Sequence, residues 1–148
     1  MVNISFLSLR VVKENSGRYD VNKKIQSPED VFEVVQKVIK ASEYPEENLW
    51  MITLDTKNNI TGIFTVSTGS LNASIVHPRE VFKRAVLQNA ASIIICHNHP
   101  SGDVTPSQED ISITKRIYDA GKILGIELLD HIIIGDNRYT SLKETRIL

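Results

Sequence analysis

The spacing of apolar residues along the chain separates segments that favour strands from segments that favour helices. Short apolar runs that are dense or alternating predict strands, and two shorter segments that directly follow turn residues are predicted as return strands. These segments are Ile4–Val12, Tyr19–Val21, Leu49–Leu54, Ile60–Val66, Ala91–Cys96, Ile126–Ile134 and Arg138–Thr140. Because turn residues separate them, the first two are predicted to form one hairpin and the next two another, which ends at Gly69.

Three further segments carry apolar residues at the three- and four-residue spacing of a helix. The first begins with the capping residue Ser27 followed by Pro28, the second begins at Pro78, and the third begins at Pro106-Ser107 and ends at Gly125. The residues predicted to face the core are, helix by helix, Val31, Val34, Val35, Val38 and Ile39; Phe82, Ala85, Val86 and Ala90; and Ile113, Ile117, Ala120 and Leu124.

The order of these elements predicts an α/β fold, because strands alternate with helices. Hairpins give antiparallel pairs and helical crossovers permit parallel ones, so we expect a mixed sheet. Ser141–Glu144 has the spacing of a capping box and predicts a final helical turn. The length fits one domain over residues 1–148, with a hairpin-and-helix extension in 1–43 and a core in 44–148.

The composition is that of an ordinary globular domain, with 41% hydrophobic and 24% charged residues. Seventeen basic and eighteen acidic residues give a net charge of −1 without a block of either sign. The charge therefore does not support nucleic acid as the main partner, although a local patch could still bind it. The single Cys96 cannot form an internal disulfide, and neither a secretory signal nor a membrane-spanning run is visible, so a cytoplasmic location is expected.

The segment His97-Asn98-His99 carries the strongest chemical signal in the chain. Alternate residues of a strand share a face, so the two imidazoles are expected side by side, with roots about 6.5 to 7 Å apart. That separation suits two corners of a tetrahedral zinc ion, and Asp110 in the third predicted helix can supply another. Three protein ligands leave one position for water, which is the arrangement of a catalytic zinc.

Several neighbouring residues have structural interpretations. Cys96 is expected on the opposite face from both histidines, as a buried strand residue. We expect His77 to cap the helix that begins at Pro78, and Trp50 to fill core volume. His131 is interpreted as a satisfied core histidine, with a position beside a metal ligand as the alternative.

The pattern His97-x-His99-Pro100, Ser107 and Asp110 resembles the JAMM motif of the JAB/MPN metallopeptidase superfamily. The sequence around this motif resembles the RadC-like branch of the superfamily in four blocks, which are Leu54-Asp55, Val76–Phe82, His97–Asp103 and Leu129–Gly135. Full-length RadC-like proteins usually carry a helix-hairpin-helix region before this domain, and the residues before it here lack the glycine-bearing turn of such a module. The chain is therefore similar to a short form without that region, of the kind that accompanies mobile elements and phages.

The resemblance implies a three-layer α/β/α sandwich of the cytidine-deaminase-like type and a zinc site formed by His97, His99 and Asp110. It also implies that Glu47, or alternatively its neighbour Glu46, is the general acid/base. A peptide or isopeptide amide of a protein or peptide substrate would then be cleaved by zinc-bound hydroxide. Ser107 would assist the oxyanion, although a serine at this helix start could equally cap the backbone.

Other functional classes receive less support. In HNH nucleases the named residues are dispersed over a hairpin and a helix, whereas His97-Asn98-His99 is contiguous. A nucleobase deaminase would need His-x-Glu followed by Pro-Cys-x-x-Cys, and the chain has one cysteine. The alternative to a hydrolase is a non-hydrolytic accessory protein of the RadC-like family, linked to DNA repair or mobile elements. The sequence specifies neither the physiological substrate nor the oligomeric state.

Overall fold

One mixed sheet organises the molecule. The computed structural model describes residues 1–70 and 76–148, and within them the strands are β1 (Asn48–Leu54), β2 (Ile60–Thr68), β3 (Ser92–Asn98), β4 (Glu127–Ile134) and β5 (Tyr139–Ser141). Their order across the sheet is β2-β1-β3-β4-β5. The pair β3–β4 is parallel, whereas β1–β2, β1–β3 and β4–β5 are antiparallel. The mixed α/β sheet expected from the sequence is confirmed.

The helices begin at the capping residues that the sequence indicated. Their bounds are α1 (Pro28–Val34), which continues as a π-helical turn (Val35–Ile39) and a 3-10 turn (Ala41–Glu43), then α2 (Pro78–Leu87) and α3 (Gln108–Leu124). Ser27 and Ser107 cap α1 and α3 through capping boxes, and His77 caps α2 with its ring nitrogen. Gly125 ends α3 at a φ of 73°, a left-handed conformation in which glycine has no steric penalty.

Helices cover both faces of the sheet and produce the expected three layers. On one face, α2 and α3 pack against Met51, Ile93 and Ile95. On the other face, α1 packs against Trp50 and Cys96, together with other residues that alternate with the first set. This alternation follows from the two-residue repeat of a strand. It also puts Cys96 on the α1 side, as predicted, where burial raises the pKa of its thiol.

A β-bulge in β4 changes which residues face α3. Ile93 pairs with Leu128, but the next residue, Ile94, pairs with Asp130, so Leu129 is an extra residue in the ladder. Strict alternation from Leu128 would send His131 to the α1 side. Because one residue is inserted, His131 instead faces α3 and the end of β3. The bulge therefore brings a third imidazole to the side of the sheet that carries the histidine pair.

The hairpin predicted over Ile4–Val12 and Tyr19–Val21 is wrong. Residues 1–19 form neither helix nor strand, and they are exposed. The pairing nearest to them is an isolated bridge between Lys24 and Asn59, at the start of β2. The apolar pattern has the composition of a strand, but a strand forms only where a partner accepts its hydrogen bonds, and residues 20–70 and 76–148 provide no partner strand for this segment.

Two residues predicted to face the core are exposed instead. Val86 and Leu124 are 54% and 52% exposed. The buried face of α2 contains Val81, Phe82 and Ala85. Val86 follows Ala85 by about 100° of rotation, which turns it away from the sheet. Leu124 is the last residue of α3, where the chain reverses at Gly125.

The capping hydrogen bond predicted at Ser141 is present, but residues 142–146 form a hydrogen-bonded turn and not a helix, and a buried carboxylate fixes this turn to β4. Ser141 Oγ accepts a hydrogen bond of 3.1 Å from the Glu144 amide. The same hydroxyl donates to Asp130 Oδ2 at 2.6 Å, and the Lys143 amide donates to Asp130 Oδ1 at 3.1 Å. Burial raises the pKa of Asp130 above its ordinary value. Among the helices of residues 1–70 and 76–148, none has both the length and the apolar character needed to cross a bilayer.

Candidate metal centre

The end of β3 and the first turn of α3 bring His97, His99 and Asp110 together. His97 Nε2 lies 2.8 Å from His99 Nε2 and 3.0 Å from Asp110 Oδ1. His99 Nε2 lies 3.2 Å from Asp110 Oδ2. His97 and Asp110 are buried, whereas the His99 side chain is 13% exposed. The three candidate ligands could hold a metal ion, because their ligand atoms all lie within 4.8 Å of one another.

The local sequence explains why these groups converge. His97 belongs to β3 and His99 follows two residues later on the same side, where its backbone amide donates to Ile134 O at 2.8 Å. Asp110 is the third residue of α3, and its Oδ2 accepts a 2.7 Å hydrogen bond from the Ser107 amide. Ser107 Oγ in turn accepts a 3.0 Å hydrogen bond from the Asp110 amide. This capping box fixes the carboxylate at the helix start, facing the histidines.

A chain of hydrogen bonds fixes the tautomer of His97. Thr114 Oγ1 lies 2.5 Å from the Asp110 carbonyl oxygen, which can only accept, so Thr114 donates its hydrogen there. Thr114 Oγ1 therefore accepts from His131 Nδ1, 2.6 Å away. Burial, aided by the neighbouring His97, holds the pKa of His131 well below its usual value, so its ring is neutral and its Nε2 carries a lone pair. That lone pair accepts from His97 Nδ1 at 2.7 Å.

The same reasoning applies to His99. Its Nδ1 lies 2.6 Å from the Asp103 backbone oxygen, an acceptor, so Nδ1 carries a hydrogen. In the neutral ring, the Nε2 atom then has a lone pair directed at the site. Both imidazoles are thus held with their second nitrogen hydrogen-bonded and their Nε2 facing Asp110. Metal-binding histidines characteristically have this arrangement, because the outer hydrogen bond orients the ring.

The donor set fits a tetrahedral divalent ion. Bonds of about 2.0 to 2.1 Å imply about 3.3 Å between neighbouring corners, close to the 2.8 to 3.2 Å observed between these atoms. Two lone pairs and a carboxylate at this distance repel one another unless a positive charge lies between them. Either a metal ion or a proton on His99 can provide that charge.

The ionisation of the site agrees with this description. Burial disfavours the charged carboxylate of Asp110, but its hydrogen-bonded contacts with His97 and His99 outweigh burial and hold its pKa well below the usual range. The hydrogen bond to Asp110 likewise raises the pKa of His99. Glu47 adds to this effect through its charge. The cluster therefore keeps a buried carboxylate ionised, as ligation of a cation requires.

An open cleft of about 390 Å³ gives access to the candidate ligands. Its lining residues are Glu47, Ser70, His99, Pro100, Ser101, Ser107, Glu109 and Asp110. Glu47 and Ser107, the two residues predicted to take part in catalysis, both line this cleft. Glu46 is exposed and is not among the described lining residues. The geometry therefore favours Glu47 over Glu46 as the carboxylate beside the site.

Asn98, to which the sequence reasoning assigned no role, holds the segment that carries Glu47. Its Oδ1 accepts from the Asn48 amide at 2.7 Å, and its Nδ2 donates to Glu46 O at 2.9 Å. These bonds join both neighbours of Glu47 to β3. The sequence did contain a sign of this role. Asn98 lies between two candidate ligands on a strand, so its side chain must point to the opposite face from theirs. His131 fits both of its interpretations, because it is a buried histidine with both ring nitrogens hydrogen-bonded and it also lies beside the candidate ligand His97.

A family model of known proteins matches most of the chain. The family model described as the RadC-like JAB domain matches residues 25–147. The chain belongs to the RadC-like JAB domain family. This membership confirms the resemblance predicted from the His97–Asp103 and Leu129–Gly135 blocks, and the mixed sheet and layers agree with a JAB-like fold.

Curated relatives of this RadC-like JAB domain are UPF0758 proteins. One from Desulfitobacterium hafniense is 54% identical over 124 residues, which cover 84% of this chain and 54% of the relative. One from Clostridium acetobutylicum is 55% identical, and one from Methanococcoides burtonii is 54% identical, each over 125 residues with the same shares covered. The chain thus spans about half the length of the curated relatives it matches.

Proposed function

We propose that this RadC-like JAB domain is a zinc-dependent hydrolase of the JAMM type that cleaves a peptide or isopeptide amide. One observation supports the proposal above others: two histidines with outer hydrogen bonds turn their Nε2 atoms to a buried, ionised carboxylate beside an open cleft. Three protein ligands leave one coordination position for a small molecule. A bound zinc would lower the pKa of its water to about 7 and would polarise a carbonyl as a Lewis acid.

The proton transfers would be the task of Glu47. Its side chain lines the cleft beside His99 and contributes to the local negative charge. A carboxylate in this position can accept a proton from the attacking water and return it to the leaving amine, which is otherwise a poor leaving group. Asn98 would act as a positioning residue, because its hydrogen bonds hold the segment on both sides of Glu47.

Ser107 would stabilise the negative charge that develops on the carbonyl oxygen of the amide. Its oxygen already accepts the capping hydrogen bond from the Asp110 amide. A hydroxyl has two lone pairs and one hydrogen, so accepting this bond leaves its hydrogen for donation. Capping and catalysis are therefore compatible roles for Ser107, and the sequence interpretations need not exclude each other.

The decisive experiment compares the zinc-loaded protein with Glu47→Gln and Glu46→Gln variants on peptide, isopeptide and small-amide libraries. Both substitutions remove one carboxylate from adjacent residues, but only Glu47 lines the cleft. We expect Glu47→Gln to retain zinc and lose about 100-fold or more in rate, within the range of general acid/base catalysis. Glu46→Gln should remain close to the wild type. Absence of hydrolysis by the zinc-loaded wild type would favour the accessory-protein alternative.

A further inference from the structure

The first residues of the chain expose an unusual amount of apolar surface. We define residues 1–12 as the N-terminal arm. Its large apolar side chains are between 41% and 128% exposed, and they are Met1, Val2, Ile4, Phe6, Leu7, Leu9, Val11 and Val12. Soluble proteins rarely leave such a contiguous apolar segment in water, and larger exposed patches commonly mark interaction sites. The composition of the arm is that of a strand, with β-branched and aromatic residues and no proline.

The sheet offers an edge that matches this arm. β2 is the outermost strand on its side. Its outer side is paired at its first residue, where the Ile60 amide donates to Lys23 O at 2.8 Å. Among the described residues, no strand pairs with the rest of that side. An edge of this kind can accept an added strand through backbone hydrogen bonds.

A groove runs along this open edge. It has a volume of about 760 Å³, and one wall includes Ile63 and Phe64 of β2. Val38, Ile39 and Trp50 add further apolar surface. Thus the place where a strand could add to β2 also has space for apolar side chains. Backbone pairing and apolar burial would then be satisfied by the same occupant.

The occupant cannot readily be the arm of the same molecule. Residues Val11–Ser16 of the chain already line the groove themselves. To lie along β2 inside this groove, residues 1–10 would have to fold back beside Val11–Ser16, and positions 8–12 contain no turn-forming Gly, Pro or Asn. An arm that comes from a second molecule has no such constraint.

We propose that the arm of one copy adds as a strand to β2 of a second copy, and that the exchange is reciprocal. Each copy has one arm and one β2 edge, so a two-fold dimer satisfies both. The lengths also agree, because β2 has nine residues and a segment of the arm of equal length can lie along it. The proposal is independent of zinc and hydrolysis, since it involves neither the cleft nor the candidate ligands.

The test measures the mass of the full chain in solution, by light scattering and sedimentation, for the wild type and two variants. Phe6→Asp/Leu9→Asp puts two charges on apolar residues of the arm. Ser5→Asp/Ser8→Asp adds the same charge to the same segment at residues that are already polar. Thermal unfolding and metal content serve as folding controls, and both should match the wild type because the four substituted side chains belong to an exposed part of the arm.

We expect the wild type and Ser5→Asp/Ser8→Asp to be dimers, and Phe6→Asp/Leu9→Asp to be a folded monomer. A Leu9→Cys/Phe64→Cys variant should form a covalent dimer under oxidation, whereas Leu9→Cys alone should form little. A monomeric wild type, or a dimer that persists in Phe6→Asp/Leu9→Asp, would overturn the proposal. Open-ended oligomers of the wild type would overturn the reciprocal exchange.

Discussion

His131 should control zinc affinity without touching the ion. His131→Phe keeps a ring of similar size but removes the acceptor for His97 Nδ1, 2.7 Å away, and the donor to Thr114 Oγ1, 2.6 Å away. His97 is fully buried, so its Nδ1 hydrogen would lose its hydrogen bond without access to water. An unsatisfied buried donor costs about 1 to 3 kcal/mol. The ring can avoid this cost by moving the hydrogen to Nε2, which is the candidate ligand atom.

An unsatisfied Nδ1 hydrogen and a hydrogen moved to Nε2 should weaken zinc binding by similar amounts. A cost of about 1.4 to 2.8 kcal/mol corresponds to a 10- to 100-fold loss of affinity, the range typical for partners that orient metal-binding histidines. The assay is a zinc titration against a chromogenic chelator, with cobalt absorption spectra to compare coordination. We expect Thr114→Val to show a smaller loss in the same direction, because His131 remains but its orientation is no longer fixed.

The control is His77→Phe, the same substitution at the histidine that caps α2 and takes no part in the chain of hydrogen bonds to His97. It should leave the zinc dissociation constant unchanged, even if it lowers the unfolding temperature slightly. Unfolding of all metal-free variants must be recorded, since the affinity comparison requires folded protein. If His131→Phe binds zinc within about two-fold of the wild type, the tautomer argument is wrong.

Two further predictions concern stability. In the metal-free protein, the pKa of Asp110 is lowered, so Asp110 stabilises the fold above its ordinary pKa of 3.8, and this stabilisation is lost as the pH falls through the folded pKa. The pKa of His99 is raised, so His99 stabilises the fold below pH 6.5, and this stabilisation is lost as the pH rises through the folded pKa. Their ion pair should therefore be strongest between about pH 4 and 6.5, and Asp110→Asn should remove the fall in unfolding temperature that the metal-free wild type shows as the pH rises above 6.5. Separately, Gly121→Ala should destabilise the protein by about 1 to 3 kcal/mol in denaturant titrations, because the added methyl would collide with the Ile126 backbone oxygen and thereby outweigh the roughly 1 kcal/mol gain in helix propensity; a more stable variant would refute that close approach.

The sequence predicted best where a rule depends on neighbouring residues alone. Strand alternation puts His97 and His99 on one side, and a proline followed by the capping residue Ser107 predicts the start of α3 just before Asp110. Both rules involve only a few consecutive residues. The mixed character of the sheet followed from the same elements, because hairpins give antiparallel pairs and helical crossovers permit parallel ones, whereas the order of the strands was not predicted.

The sequence predicted poorly where the outcome depends on a distant partner. The bulge at Leu129 comes from pairing with β3, and no pattern within residues 127–134 reveals that His131 should face α3. The N-terminal arm has the pattern of a strand, but a pattern cannot show whether a partner strand is available. Val86 illustrates a smaller error, since a helix with apolar residues on adjacent positions does not reveal which of them faces the sheet.

The capping box of α3 links the folding of this helix to the binding of the metal ion. The Asp110 oxygen that accepts the Ser107 amide is also the oxygen nearest His99, so the first turn of the helix and the metal centre share one atom. Loading with a divalent ion should therefore slow hydrogen–deuterium exchange of the amides at the beginning of α3, far more than of those near its end. A protein that acquires its ion late would complete this helix late as well.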